Sequence, residues 1–318
     1  MQPLVLLFPG QGSQKPGMAR DLADAFAPAR ETLAAIDAAL GVALSRVMFD
    51  GPADELTLTH NAQPALLAHG AAVWATVRDA IRGRVVAAAG HSLGEFTAHH
   101  AAGTFDAATG AALVRRRGLL MYEAGVARPG AMAALLGEPD RPIEEICAQA
   151  TAEAGEVVPA NYNCPGQLVI SGEVAGVERA MELAKAAGVK RAVRLQVSGA
   201  FHSPLMAPAR AGLEAALAEA PMQDPAFPVV ANVDAAPVTT AARARALLAE
   251  QLGAPVRWTE VVRTLAASHP GALFVEMGPG TVLAGLVKKI APEVETVACG
   301  TAPEVEALLA RVAAPASA

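Results

Sequence analysis

Apolar and polar positions follow two patterns along this chain. Short, mostly apolar runs at 4–8, 84–89 and 273–277 are typical of strands that are buried on both faces of a parallel sheet. Between them lie longer segments with apolar residues at helical spacing, for example 18–40, 63–81 and 106–124. Strands that alternate with helices predict an α/β fold built on a mostly parallel sheet.

The pattern changes between residues 128 and 197. There the elements follow the order βαββαβ, which is the ferredoxin-like order. The strands are predicted over 131–136, 157–162, 167–171 and 189–197, and the helices over 142–154 and 174–187. We therefore predict a small ferredoxin-like subdomain, 128–197, inserted into a larger domain formed by 1–127 and 198–318, with a frayed tail over 313–318.

The composition narrows the class of protein. Of the 318 residues, 53% are hydrophobic and 18% are charged, which suits a folded chain with a full core. The net charge of −6 argues against a general nucleic-acid binder, since phosphate neutralisation requires an excess of Lys and Arg. The three scattered cysteines fit neither a disulfide framework nor a zinc site. We expect a cytoplasmic protein with no targeting segment, because the apolar runs are too short for a signal or a membrane span.

The segment Gly90-His91-Ser92-Leu93-Gly94 matches the G-x-S-x-G nucleophile elbow. A predicted strand precedes it and a helical pattern follows it. On such a sharp turn the serine Oγ is exposed at the carboxyl edge of a sheet, and the glycines let the backbone turn without a Cβ clash. Free N–H groups at the start of the helix can stabilise an oxyanion. Ser92 is therefore a candidate nucleophile; the alternative is a glycine-rich turn with an idle serine.

A serine nucleophile needs a base, and His202 is the best candidate among the seven histidines. It lies in the loop 198–204, which follows a predicted strand and can project a side chain into a cleft. His91 is adjacent to Ser92, but neighbouring residues on a sharp turn usually point apart. Asp234 and Glu276 are possible acidic holders for the base, although a carbonyl or an amide can hold it equally well.

Two further segments carry candidate binding groups. The turn 8–14 follows the first strand, and the backbone N–H of Gln11 can point at an oxyanion from the side opposite Leu93; a plain turn is the alternative. Arg115, Arg116 and Arg117 follow one another on a helix, where they cover a wide arc. An arginine that faces inward must be paired, and a substrate carboxylate suits its planar fork; solvated charges or an internal salt bridge are the alternatives.

Taken together, these segments resemble the malonyl-CoA:acyl carrier protein transacylases of fatty-acid synthesis, and they are similar to the acyltransferase domains of polyketide synthases. The matching stretches occur in the family order: Phe8-Pro9-Gly10-Gln11-Gly12-Ser13-Gln14, Gly90-His91-Ser92-Leu93-Gly94-Glu95, Arg117-Gly118, Asn161-Tyr162-Asn163, Gly199-Ala200-Phe201-His202-Ser203-Pro204, Gln251-Leu252 and Glu276-Met277-Gly278-Pro279-Gly280.

The resemblance implies a role for each matching residue. Ser92 would be the nucleophile and His202 the base, with oxyanion N–H groups from Gln11 and Leu93. Arg117 would bind the malonyl carboxylate, and Gln251 would hold His202 through its amide or its backbone carbonyl. Phe201 resembles malonyl-selective members, and Asn161 belongs to the substrate-binding set. The large domain would be α/β-hydrolase-like, with the ferredoxin-like insert closing over the cleft.

The resulting hypothesis is a ping-pong malonyltransferase that uses malonyl-CoA and an acyl carrier protein and needs no metal or bound cofactor. A serine thioesterase or hydrolase is the alternative enzyme, and a non-catalytic interaction module is the alternative outside enzymes. We expect a monomer that binds neither nucleic acid nor membrane. Because acyl carrier proteins are generally acidic, we expect docking at clustered basic residues, with the candidates Lys185, Lys190, Arg191, Lys288 and Lys289.

Overall fold

The structure is a computed structural model that describes residues 1–314; the remainder of the predicted frayed tail, 315–318, lies outside the described residues. The strands are β1 (Leu4–Phe8), β2 (Val85–Gly90), β3 (Gly130–Leu136), β4 (Val157–Cys164), β5 (Gln167–Glu173), β6 (Arg191–Arg194), β7 (Val229–Val230), β8 (Pro237–Val238), β9 (Leu273–Glu276) and β10 (Thr296–Ala298).

Helices cover most of the remaining chain. They are α1 (Arg20–Ala25), α2 (Ala27–Leu40), α3 (Leu44–Asp50), α4 (Ala53–Thr57), α5 (Thr59–Ile81), α6 (Gly94–Ala101), α7 (Ala107–Ala127), α8 (Ile143–Ala154), α9 (Val174–Ala186), α10 (Ala207–Glu219), α11 (Ala241–Glu250), α12 (Trp258–Ser268), α13 (Val282–Ile290) and α14 (Ala302–Ala313). Two short 3-10 helices lie at Arg82–Arg84 and Pro204–Met206.

The larger sheet has six strands in the order β10-β9-β1-β2-β7-β8. All neighbouring pairs are parallel except β7 and β8, which form an antiparallel edge. The central strand β1 is buried along its whole length, and its alternate residues enter two different cores, one on each face of the sheet. This agrees with the predicted α/β class, because a parallel sheet has helices on both faces.

The smaller sheet is separate and fully antiparallel, in the order β4-β5-β3-β6. Helices α8 and α9 pack against it and enclose a third core. A parallel bridge joins Asn161 of β4 to Val256, where the Tyr162 amide donates to the Val256 carbonyl over 2.9 Å and the Val256 amide donates to the Ala160 carbonyl over 2.8 Å. This bridge ties the smaller sheet to the segment that follows α11.

Several predicted elements have different bounds in the structure. The single helix predicted over 18–40 is wrong: Phe26 is extended, with φ −125°, and separates α1 from α2. Pro28 lies in the first turn of α2, where its missing N–H is tolerated, but it would interrupt one continuous helix. The strand predicted over 189–197 shortens to β6. Helices α3, α4 and α14 and strands β8 and β10 were not predicted.

Candidate active site

Ser92 lies between the end of β2 and the start of α6, on a turn that only small neighbours permit. Its φ is 51°, in the left-handed region that non-glycine residues rarely adopt. A Cβ on Gly90 would come within 1.9 Å of the Gly94 carbonyl carbon, and a Cβ on Gly94 would come within 2.1 Å of the Phe8 carbonyl oxygen. Glycine is therefore required at both positions, as the elbow pattern predicts.

His202 reaches Ser92 from the loop before the 3-10 helix at Pro204–Met206. The Ser92 Oγ and the His202 Nε2 are 2.8 Å apart. On the other side of the ring, Nδ1 lies 2.9 Å from the Gln251 carbonyl oxygen and 3.1 Å from the Ala254 carbonyl oxygen. Because carbonyl oxygens only accept hydrogen bonds, Nδ1 carries the proton and the Nε2 lone pair faces the serine hydroxyl.

The same surroundings keep His202 neutral. Its side chain is buried, and burial together with the nearby charge of Arg117 lowers its pKa to about 3. An imidazole that is neutral at physiological pH can accept the serine proton.

The two acidic residues considered as holders for the base occupy other places. Asp234 forms an ion pair with Arg243 over 2.5 Å. Glu276 accepts from the backbone N–H groups of Leu283 and Ala284, at 2.9 and 2.7 Å, and so binds the start of α13. Neither contacts His202, so both alternatives are wrong, and backbone carbonyls hold the ring instead.

His91 also points away from the nucleophile, as the turn geometry predicts. Its Nε2 lies 2.8 Å from the Asn163 Oδ1, and its ring packs against Trp258 with 5.5 Å between the ring centres. Burial lowers its pKa.

Gln11 and Leu93, the candidate oxyanion residues, lie at the ends of adjacent parallel strands. Phe8 of β1 pairs with Gly90 of β2, and the His91 amide donates to the Phe8 carbonyl over 3.0 Å. The turns after both strands therefore meet at the carboxyl edge of the sheet. Within residues 1–314 the backbone N–H groups of Gln11 and Leu93 donate no hydrogen bond, which leaves both available to an oxyanion.

Arg117 is the inward member of the arginine run on α7. It is 1% exposed, whereas Arg116 is exposed and Arg115 is half-buried. Its Nη1 donates to the Gln63 Oε1 over 2.8 Å. Its Nη2 donates to the Ser92 Oγ over 3.1 Å and to the Gln251 Oε1 over 3.0 Å. Burial lowers the pKa of Arg117 to about 10, so the guanidinium keeps its charge at neutral pH.

Arg117 still has donors to offer. Its Nε is buried and has no partner in the part of the chain that the structure describes. Nε and Nη2 form one edge of the guanidinium, and this edge can bind both oxygens of a carboxylate when Nη2 gives up its contact with the Ser92 Oγ.

Ser92 and Arg117 open into a cavity of about 370 Å³. The cavity is also lined by five other predicted site residues: Gln11, Leu93, Asn161, Phe201 and His202. Gln251 does not line it. Its side chain is fully buried, and its backbone carbonyl contacts the His202 ring, which is one of the two ways of holding His202 that the resemblance implies.

Sequence reasoning did not find three polar residues that complete the site. Gln63 of α5 accepts from Arg117, as described above. The Asn232 Oδ1 accepts from the Ser92 amide over 2.7 Å, and its Nδ2 donates to the Gly90 carbonyl over 2.8 Å. Glu95, in the first turn of α6, is 0% exposed. Glu95 appears in the matching motif, but a sequence gives no sign of which partners such a residue meets.

Residues 1–314 contain neither a cluster suited to a metal ion nor a helix suited to a bilayer. No three His, Cys, Asp or Glu side chains lie close enough together to hold a metal ion. None of the helices in this range is both long enough and apolar enough to cross a bilayer.

Comparison with known proteins gives one consistent family. The sequence model described as "Acyl transferase domain" matches residues 5–310. The malonyl CoA-acyl carrier protein transacylase of Bacillus subtilis (strain 168) is 44% identical over 299 residues, which cover 94% of this chain and 93% of that protein.

Solved structures agree with the sequence comparison. The crystal structure of an acyl-carrier-protein-S-malonyltransferase from Bartonella henselae superposes with a TM-score of 0.92 at 42% identity, covering 98% of this chain and 100% of that one. A type II polyketide synthase acyl-carrier protein has been solved in complex with its malonyl-transacylase, which matches with a TM-score of 0.91 at 39% identity. That match covers 97% of this chain and 99% of the other.

Proposed function

This chain belongs to the acyl transferase domain family, and from that premise we propose that it transfers the malonyl group of malonyl-CoA to the phosphopantetheine thiol of an acyl carrier protein. The transfer serves fatty-acid or polyketide synthesis and passes through a malonyl-Ser92 intermediate. The observation that carries the proposal is the meeting of Ser92, His202 and the buried Arg117 in one cavity. The relatives named above support the choice of substrates.

In the first half-reaction Ser92 attacks the malonyl thioester. Its Oγ forms a bond to the thioester carbon while the His202 Nε2 takes the hydroxyl proton. The carbonyl oxygen becomes an oxyanion, which the Gln11 and Leu93 amides bind. When the carbon–sulfur bond breaks, the imidazolium of His202 returns its proton to the departing CoA thiolate. The products are free CoA and a malonyl ester on Ser92.

The second half-reaction repeats these steps with another thiol. His202 takes the proton of the phosphopantetheine thiol, whose sulfur attacks the ester carbon. The oxyanion is bound at the same two amides, and the Ser92 alkoxide leaves with the proton from His202. Because serine and histidine supply nucleophile, base and acid, the proposed reaction needs no bound cofactor.

The position of Arg117 favours a substrate whose acyl group carries a carboxylate, such as malonyl, over an unsubstituted acyl group, such as acetyl. Arg117 donates to the Ser92 Oγ through Nη2, and its neighbouring Nε has no partner among residues 1–314. We propose that the malonyl carboxylate takes the edge formed by Nε and Nη2, with Phe201 beside it in the cavity. A plain thioesterase does not require a buried cation at this place.

We also propose the finer architecture that the sequence suggests. The large domain, 1–127 and 198–318, is α/β-hydrolase-like, because a nucleophile turn follows a strand of its parallel sheet. The insert, 128–197, is ferredoxin-like, which the antiparallel order β4-β5-β3-β6 supports. Three buried free cysteines support a cytoplasmic location. A monomer remains the proposed assembly.

Intact-mass spectrometry tests this function directly. The protein is incubated with malonyl-CoA, and we expect one malonyl adduct, located on the peptide that contains Ser92 and absent from Ser92→Ala. Addition of phosphopantetheinylated acyl carrier protein should remove the adduct and produce malonyl-carrier protein. Release of free malonate without any acceptor thiol, at a rate comparable to transfer, would favour the hydrolase alternative. An adduct on another residue would contradict the mechanism.

A further inference from the structure

Glu95 is a buried acidic residue close to Ser92, and the mechanism above gives its carboxyl group no role. Glu95 and Glu276 are the two buried acidic side chains among residues 1–314. A carboxylate without water is unfavourable unless neighbours compensate its charge. The groups that contact Glu95 therefore show which parts of the site its buried carboxyl group can position.

One oxygen of Glu95 makes all of its hydrogen bonds. Oε2 accepts from the Gln251 Nε2 over 2.7 Å and from the Asn232 backbone N–H over 3.0 Å. Oε1 is buried and has no partner in the described part of the chain.

Gln251 connects this carboxyl to three site residues. Its Oε1 accepts from the Arg117 Nη2 over 3.0 Å, and its backbone carbonyl accepts from the His202 Nδ1 over 2.9 Å. Its Nε2 also donates to the Ser92 carbonyl over 3.0 Å. The Gln251 amide thus lies between a cation at its oxygen and a carboxyl at its nitrogen, which fixes its orientation.

Asn232 connects the same carboxyl to the nucleophile turn. Its amide side chain accepts from the Ser92 N–H and donates to the Gly90 carbonyl. Glu95 is therefore a common anchor of two residues: it holds Asn232 by its backbone N–H and Gln251 by its side-chain amide. These two residues contact Ser92, His202 and Arg117.

We propose that Glu95 is a positioning residue for malonyl transfer: its ionised carboxylate fixes Gln251 and Asn232 and thereby sets Ser92, His202 and Arg117 in their reacting arrangement. The inference rests on the proposed function. Hydrogen bonds to an ionised acceptor are stronger than those to a neutral one, so the ionised form holds both partners more firmly. Displacement of reacting groups by about 1 Å can cost about 100-fold in rate.

The charge of Glu95 changes near neutral pH. Burial raises its pKa to about 7; Arg117, which faces it from α7, opposes this rise, and Asp234, from the loop between β7 and β8, adds to it. Above this pKa the carboxylate is ionised, and below it the proton neutralises the group. His202 remains neutral down to a pKa of about 3, so its own titration does not affect this range.

The experiment compares Glu95→Gln and Glu95→Ala with the wild type. Glutamine keeps the shape and can present its oxygen to both donors while its NH₂ takes the place of Oε1; alanine removes the acceptor. Glu276→Gln is the matched control, because it neutralises the other buried carboxyl, which lies outside the site. The rate of Ser92 malonylation is measured across pH in protein whose fold is checked by circular dichroism.

In the wild type we expect the rate to fall as pH drops through about 7, to a low plateau. Glu95→Gln should stay near that plateau at every pH, about tenfold below the wild-type rate in alkaline solution, because it loses the stronger bonds to a charged acceptor. Glu95→Ala should lose about 100-fold, because Gln251 and Asn232 are released. Glu276→Gln should keep the wild-type pH profile.

Two results would overturn the inference. One is a Glu95→Gln variant that keeps the wild-type fall in rate near this pKa. The other is a folded Glu95→Ala variant that is no slower than Glu95→Gln. If the wild type itself forms no malonyl-Ser92, the proposed function fails rather than this inference, so the two failures are distinguishable.

Discussion

Ser92 and His202 both adopt a positive φ, 51° and 57°, and their side chains meet at 2.8 Å. Non-glycine residues in this region carry a conformational cost, which persists only where the surroundings hold it. The Asn232 side chain holds the Ser92 amide, and two carbonyls hold the His202 ring. The unusual backbone conformation of Ser92 and of His202 directs the two side chains toward each other. Hydrogen bonds from distant segments of the chain hold both residues in that conformation.

Arg117 is predicted to determine selectivity for a carboxylated acyl group. Arg117→Ala should lower kcat/KM for malonyl-CoA by about two to four decades, since an unpaired buried carboxylate costs on the order of 3–5 kcal/mol. The slow reaction of acetyl-CoA should change little, because it makes no such ion pair. Arg117→Lys keeps the charge but loses the planar fork, so it should fall between.

The measurement is the ratio of kcat/KM values for malonyl-CoA and acetyl-CoA in wild type and both Arg117 variants. An equal loss for both substrates in folded Arg117→Ala would mean that Arg117 has a structural role, and the hydrolase alternative would gain support.

His202, and not His91, is predicted to act as the base. His202→Ala should reduce transfer by roughly three orders of magnitude or more, and the double variant with Ser92→Ala should be little worse than either single one, because members of one catalytic unit are not additive. His91→Ala is the matched comparison, since His91 contacts Asn163 and Trp258 instead of Ser92. Greater damage from folded His91→Ala than from His202→Ala would reverse the assignment.

Asn232 is predicted to maintain the nucleophile turn. Asn232→Ala removes the acceptor of the Ser92 amide and the donor to the Gly90 carbonyl. We expect a loss of about 1–3 kcal/mol in stability and of about 100-fold in the acylation rate. Asn61→Ala, which removes side-chain hydrogen bonds to Arg115 and the Glu55 carbonyl, is the control. Similar acylation rates for the two variants would contradict the prediction.

Because His99 is buried, we expect the free energy of unfolding to fall as the solution becomes acidic. Burial lowers the pKa of His99 to about 3, and its Nε2 has no partner within residues 1–314. The unfolded chain therefore binds a proton below the ordinary histidine pKa of about 6.5, while the folded protein does not until a much lower pH. Between about pH 7 and about pH 5 this group alone should lower the free energy of unfolding by on the order of 2 kcal/mol.

His99→Asn removes this titration, and Asn can keep the contact that Nδ1 makes with the Thr104 hydroxyl. Urea unfolding at both pH values should show that the variant loses about 2 kcal/mol less than the wild type between them. An unchanged pH dependence would show that another group causes the loss.

The docking of an acidic carrier protein is predicted at the turn between β4 and β5. Lys190 lies close to Gly137, where an added Cβ would come within 3.2 Å of the Lys190 side chain, and the Gly137 amide donates to the Gly166 carbonyl of this turn. Lys289 is close enough to Cys164, at the end of β4, to oppose the rise in the pKa of its thiol. Both lysines are therefore near the turn, and both are exposed. Lys190→Glu with Lys289→Glu should raise the KM for the carrier protein and leave Ser92 malonylation by malonyl-CoA unchanged.

Arg82→Glu is the control for this surface, because Arg82 precedes β2 and lies at the edge of the sheet opposite Ser92. If the lysine reversals slow both half-reactions equally, or Arg82→Glu has the same effect, docking lies elsewhere.

The sequence alone determined those features that depend on neighbours along the chain. The elbow at Gly90–Gly94 was predictable because the strand, the turn and the helix are contiguous, and a glycine requirement is local. Asp106 could likewise be predicted as the cap of α7, where its Oδ1 accepts from the Thr109 amide over 2.7 Å. The motif order identified Ser92, His202 and Arg117 as members of one site before any distance was known.

Tertiary structure decided what holds those residues. Gln251 is 159 residues from Ser92, and Asn232 is 140 residues from it, so no spacing in the sequence indicates that they meet. The residues alone left a carboxylate, a carbonyl and an amide open as the partner behind His202, and the resemblance implied Gln251 through its amide or its backbone carbonyl. The structure places Asp234 and Glu276 elsewhere and turns the Gln251 and Ala254 carbonyls toward the ring. A hydrogen bond depends on distance and direction in space, and only the packing of α11 and β7 against α6 fixes both for Glu95.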